Sequence, residues 1–221
     1  MKGNGKRLLF LGSIFIVVFV IWTLLIQKVD VQPLGVKGTD IGFATINCWF
    51  HKLTGVHMGI YHITDWLGLV PIFICMIFGC IGFIQLIKRR SILKVDCDII
   101  ILGVYYIIVI GGYFIFEMVP INYRPILIGG LLEASYPSST TLLVLCVMPT
   151  LIEQTNRRLE NATVKRIIKV FVICFSIFMV SGRVVSGVHW LTDIVGSLML
   201  SAGLFCIYKA AVLLCYKGKI R

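Results

Sequence analysis

Charge is scarce in this 221-residue chain. Charged residues make up 14% and hydrophobic residues 58%, against roughly 25% and 45–50% in a typical globular protein. That shortage excludes an intrinsically disordered segment, which needs charge and little apolar surface. It equally excludes a water-soluble particle of this size. The eight cysteines show no CxxC spacing and fall mostly within apolar runs. Neither a disulfide framework nor a zinc motif is therefore expected, and the cysteines are read as packing residues. Internal repeats and low-complexity tracts are missing too. Gln27-Lys28-Val29-Asp30, after the first apolar run, offers no small-residue cleavage site, so that run is read as a retained helix rather than a signal peptide.

Six apolar stretches are present, at about 8–26, 67–87, 99–119, 138–154, 167–182 and 194–214. Each approaches the roughly 20 residues that cross a bilayer core. The expected fold is an all-α polytopic membrane protein, with six transmembrane helices in a single bundle and one domain. A short interfacial helix is expected at about 41–51, where apolar and aromatic residues recur with helical spacing. Gly111-Gly112 in the third span is read as a close-packing point.

The chain holds 21 Lys and Arg against 10 Asp and Glu, which suggests nucleic acid until the charges are placed. With the N-terminus inside, 16 of the cations fall on one side and 5 on the other. The positive-inside rule then places both termini in the cytoplasm. The basic excess reflects topology and anionic lipid heads, and no nucleic-acid partner is expected. Asn161-Ala162-Thr163 would face the cytoplasm, so it is read as a chance sequon.

Charged groups near membrane depth on the outer side are costly unless they serve a function. Two outer segments collect them. Glu117–Thr140 holds Asn122, Arg124-Pro125 and Tyr136-Pro137-Ser138-Ser139-Thr140. Ser181–Asp193 holds Arg183, His189 and Asp193. Arginine offers a planar fork of donors matched to phosphate oxygens. A helix starting after Pro137 presents free backbone N–H groups to an anion. Asp193, one helical turn beyond His189, could fix the imidazole tautomer and leave the other nitrogen to attack phosphorus. Asn122 and Tyr123 are read as loop structure, and Glu117 and Glu133 as partners for the arginines. His51, His57 and His62 match no metal-ligand spacing.

In these residues the chain resembles the type 2 phosphatidic acid phosphatase superfamily of integral membrane lipid phosphatases. Arg183, His189 and Asp193 match the spacing of its third motif, with the serine displaced to Ser181. Arg124-Pro125 fits the end of the first motif and Pro137-Ser138-Ser139 the second. Glu117 stands where the first motif has lysine, and Thr140 where the second has histidine. The resemblance implies that Arg124 and Arg183 clamp a phosphate, with Ser138 and Ser139 binding its oxygens. It also implies that His189 is the nucleophile oriented by Asp193. It implies a lipid phosphate or diphosphate substrate at the outer face, no cofactor and no metal.

The family's histidine protonates the leaving group, and Thr140 cannot. An alkoxide leaving group has a conjugate acid of pKa ~15.7, about that of water. A departing phosphate has a second pKa near ~6. General acid catalysis contributes ~10²–10⁴ in rate and matters most for the poorer leaving group. A lipid diphosphate such as a polyprenyl diphosphate is therefore slightly favoured, with His57 or His62 as possible substitute acids. The alternative from another class is a member that binds a phospholipid headgroup without turnover, or acts as a partner subunit.

Overall fold

The computed structural model describes residues 2–218. It contains helices α1 (Lys2–Ile26), α2 (Ala44–Thr54), α3 (Met58–Leu67), α4 (Leu69–Arg89), α5 (Cys97–Met118), α6 (Ser139–Arg158), α7 (Ala162–Val185) and α8 (Leu191–Gly218). No strand is assigned among the described residues; isolated antiparallel bridges include Tyr123↔Ala134. The all-helical expectation holds.

The count of six spans is not confirmed by length and composition alone. By length and composition five helical segments could cross a membrane: Asn4–Ile26, Met58–Arg89, Cys97–Met118, Ala162–Val185 and Leu191–Tyr216. The stretch expected at 138–154 is α6, which has the length but not the apolarity. Thr140, Thr141, Thr150, Glu153, Gln154 and Thr155 dilute it. Its position accounts for that composition, because α6 packs against α4, α5, α7 and α8 and meets protein rather than surroundings. Val144, Cys146, Val147, Met148 and Thr150 are fully buried there. The Thr150 hydroxyl is satisfied by Tyr106 at 2.7 Å and by the Val147 carbonyl at 2.6 Å. The second span also begins earlier than its hydropathy suggests, since α3 runs into α4 through Gly68. The outer helices keep Phe10, Ile107, Ile167 and Ile177 more than half exposed. Such a surface is unfavourable in water and ordinary against hydrocarbon.

At the end of the bundle away from the 119–138 loop, polar groups tie the helices together. Asp96 meets Arg89 at 2.7 Å, the buried Asp98 meets Arg158 at 2.8 Å, and Glu153 meets Lys209 at 2.6 Å. Here Cys97 and Cys215, 118 residues apart, are joined as a disulfide, a single pair among cysteines expected to form no disulfide framework and to serve as packing residues. They belong to the ends of α5 and α8, and a pairing set by tertiary approach has no spacing signature. Gly111 and Gly112 also depart from expectation, since a side chain added at either would meet nothing within 4 Å. Asn161 has a structural use, since its Oδ1 accepts from the amides of Thr163 and Val164 and caps α7.

The expected interfacial helix is α2, shifted to Ala44–Thr54. It docks on the start of α8 through one buried amide. Asn47 Nδ2 donates to Thr192 Oγ1 (2.9 Å) and to the Gly42 carbonyl (2.8 Å), and Asn47 Oδ1 accepts from the Thr192 amide. The long N-terminal connection thereby braces the segment that carries His189.

Candidate active site

Four segments converge at the α6 N-terminal end of the bundle. The 119–138 loop brings Arg124 and Ser135, the start of α6 brings Thr140, the end of α7 brings Arg183, and the turn leading into the first residues of α8 brings His189 and Asp193. That turn depends on Gly187, whose φ is +68° and whose missing side chain leaves room for the Gly55 carbonyl. His51 of α2 steadies the same turn, its Nε2 lying 3.0 Å from the Gly187 carbonyl. The end of α7 is reached closely by α3, because a side chain at Gly182 would meet Thr64.

The histidine is held in one tautomer. His189 Nδ1 lies 3.1 Å from the backbone carbonyl of Ser135 and 3.1 Å from its hydroxyl. A carbonyl only accepts, so Nδ1 carries the proton and Nε2 keeps its lone pair. Nε2 is buried and without a partner. Asp193 lies 3.8 Å from Nδ1, too far for the direct hydrogen bond anticipated from sequence. Ser135 bridges them, its hydroxyl donating to Asp193 Oδ2 at 2.5 Å. The same carboxylate oxygen accepts from the Trp190 amide at 2.8 Å. Asp193 therefore orients the ring through an intervening hydroxyl.

Burial pushes the His189 imidazole down to about 4 from its ordinary 6.5; the Arg124 and Arg183 charges add to this and Asp193 opposes it. The ring is neutral at neutral pH, the form a nucleophile requires. Between these two values the unfolded chain binds more protons than the folded one. The stability contribution is full above about 6.5 and is lost as pH falls toward about 4. We expect kcat/KM, corrected for the second ionisation of the substrate near ~6, to show its acid break near pH 4 rather than 6.5. Ser135→Ala is expected to lower kcat about tenfold, on the order of one lost buried hydrogen bond. It should also displace that acid break, which a simple packing loss would leave in place.

The two arginines share a platform that the sequence did not reveal. Both guanidinium carbons approach the ring of buried Tyr61 on α3, Arg183 at 5.0 Å and Arg124 at 5.9 Å. Arg183 is 1% exposed. Its Nη2 donates to Asp65 Oδ1 (2.8 Å) and to Thr140 Oγ1 (2.6 Å), while Nε and Nη1 have no partner. Arg124 Nε lies 3.1 Å from Glu133 without the alignment of a hydrogen bond. Glu133 is thus the arginine partner expected, whereas Glu117 makes no ion pair with either arginine. An acid in an apolar segment was the available signal for Asp65; for Ser135 it was a place two residues before Pro137.

Ser138 and Ser139 separate in role. Ser138 is fully buried; its hydroxyl donates to Thr141 Oγ1 (3.0 Å) and its amide to the Asp193 carbonyl (3.3 Å). It pins α6 to α8. Ser139 instead lines a cavity of about 450 Å³ between α4, α5 and α6. Asp65, Ser139 and Thr140 form the polar part of this cavity, and Leu69, Ile72, Val109, Ile110, Phe114 and Leu142 much of the rest. It meets the basic cluster at Asp65 and Thr140, the two residues held by Arg183. His57 Nε2 is engaged with the Thr54 carbonyl at 2.9 Å, and His62 is exposed beside the Tyr61 ring. Among the described residues, neither is hydrogen-bonded or ion-paired to His189 or the arginines.

A family model described as "PAP2 superfamily" matches residues 72–216. Among solved structures, the chain is similar to one titled the first transmembrane PAP2 type phosphatidylglycerolphosphate phosphatase from Bacillus subtilis. The TM-score is 0.64 and the identity 16%, over 95% of this chain and 97% of that one. At that identity the likeness speaks to the fold. No curated protein matches the chain.

Proposed function

Because the chain belongs to the PAP2 superfamily, we propose that it is an integral membrane phosphatase that hydrolyses a lipid phosphate or diphosphate through a phosphohistidine. The observation that carries this reading is the buried, unpartnered His189 Nε2, with its proton fixed on Nδ1, beside two arginines whose free N–H groups have no other use. Arg124 and Arg183 hold the phosphoryl group by charge-assisted hydrogen bonds, and the open N–H groups at the start of α6 add donors. Nε2 attacks phosphorus as the bond to the leaving oxygen breaks; water then attacks the phosphohistidine, releasing phosphate and freeing Nε2. Asp193 stabilises the imidazolium through Ser135.

The mostly apolar cavity beside Thr140 favours a substrate with a hydrocarbon tail. A lipid diphosphate is preferred. Thr140 is engaged with Arg183 and is no acid at neutral pH, while Asp65 lies in an ion pair; a leaving group that departs without protonation suits such a site. Six spans, with α6 as the central one, cytoplasmic termini and a site at the outer face complete the proposal, supported by the distribution of Lys and Arg.

The test is phosphate release by purified protein from phosphatidate, phosphatidylglycerophosphate and a polyprenyl diphosphate. The diphosphate should turn over fastest. Equal rates on a monoester would remove the leaving-group argument. Release from none of them, with inorganic phosphate still bound, would favour headgroup binding without turnover.

A further inference from the structure

The loop that carries Arg124 folds back on itself as a short antiparallel pair. The Arg124 amide donates to the Glu133 carbonyl (3.1 Å), the Ser135 amide donates to the Asn122 carbonyl (2.9 Å), and Tyr123 bridges Ala134. Side chains alternate between the two faces of such a pair. Asn122, Arg124, Glu133 and Ser135 therefore share one face, with Asn122 directly across from Ser135. That is the face on which the Ser135 hydroxyl meets His189 and Asp193.

Asn122 is 2% exposed, and its Nδ2 has no hydrogen-bond partner. Buried amide groups almost always have one. Among the described residues, six buried side-chain nitrogens lack a partner: Asn122 Nδ2, Nε and Nη1 of Arg124, Nε and Nη1 of Arg183, and His189 Nε2. Five belong to the proposed phosphate clamp and nucleophile. The sixth shares their ladder face.

We propose that Asn122 is a further substrate-binding residue, donating from Nδ2 to a phosphoryl oxygen held between Arg124 and His189. The inference rests on the phosphate-site reading above and extends it. The site lacks the lysine of the first motif, which is Glu117 here, and Asn122 adds an uncharged donor to it. An amide recognises any phosphoryl oxygen whatever its protonation, so this contact serves monoester and diphosphate alike.

The experiment measures competitive inhibition by inorganic phosphate, direct phosphate binding by calorimetry, and kcat/KM, in detergent-purified full-length protein and in Asn122→Ala and Asn122→Asp. A hydrogen bond to a charged group corresponds to about a 10- to 100-fold change. Asn122→Ala should weaken phosphate by that factor and lower kcat/KM comparably, with thermal unfolding unchanged. Asn122→Asp, nearly the same shape, replaces a donor by an acceptor and should be worse than alanine. Unaltered phosphate affinity in both variants would overturn the proposal, as would a loss in alanine that aspartate restores. Should the alanine variant fail to fold, the aspartate variant alone decides. If wild-type protein releases phosphate from no lipid, the activity reading fails while the calorimetric comparison still judges Asn122.

Discussion

Replacing His189 by alanine is expected to lower phosphate release by about 10⁴–10⁶-fold, the range seen when a covalent nucleophile is removed. The ring is buried, and among the described residues its hydrogen-bond partners are both on Ser135, so alanine leaves a small cavity and no orphaned charge. Asp193 keeps two donors, the Ser135 hydroxyl and the Trp190 amide, and the turn before α8 should hold its shape. Unchanged thermal unfolding together with lost turnover would therefore separate chemistry from folding. Wild-type protein quenched in base during turnover of a labelled lipid phosphate should retain label on this residue, since a phosphohistidine is stabler to base than to acid. The alanine variant should retain none. Turnover by alanine within tenfold of wild type would remove the covalent mechanism.

Arg183→Ala is the second large effect, with kcat/KM falling about 10³-fold, as for loss of a strong oxyanion donor in a water-poor site. The side chain is nearly inaccessible, yet its ion-pair partner Asp65 is more than half exposed and can rehydrate when abandoned. The structural penalty is accordingly moderate and the functional one severe. Arg183→Lys should recover little, because an ammonium cannot serve Asp65, Thr140 and a phosphate at once in the planar geometry a guanidinium provides. Retention of kcat/KM within tenfold in the alanine variant would show that this residue does not grip the substrate.

Much of this was readable in the sequence because two strong regularities govern it. Hydrocarbon admits long apolar helices, so α1, α4, α5, α7 and α8 announce themselves by length and composition. The motif residues sit at fixed spacings, which is how Arg124, Arg183, His189 and Asp193 could be nominated. What escaped depends on tertiary approach. Tyr61 and Asp65 lie more than a hundred residues from Arg183, and only the fold of α3 against α7 joins them. The Cys97–Cys215 pairing likewise depends on where α5 and α8 end. Helix α6 was placed, but its packed surroundings were not legible, because hydropathy cannot tell a helix facing lipid from one packed against four other helices. Asn122 was passed over as loop because the register of a short antiparallel pair leaves little pattern in sequence.

The matched family region begins at residue 72, yet the aromatic ring beneath both guanidinium groups is Tyr61, upstream of it. The ring that backs both arginines and the proposed nucleophile are consequently housed in separable stretches of polypeptide. In the proposed site, changes within α3 would retune how firmly an anion is retained, and so the pace of product departure, while His189 stays untouched.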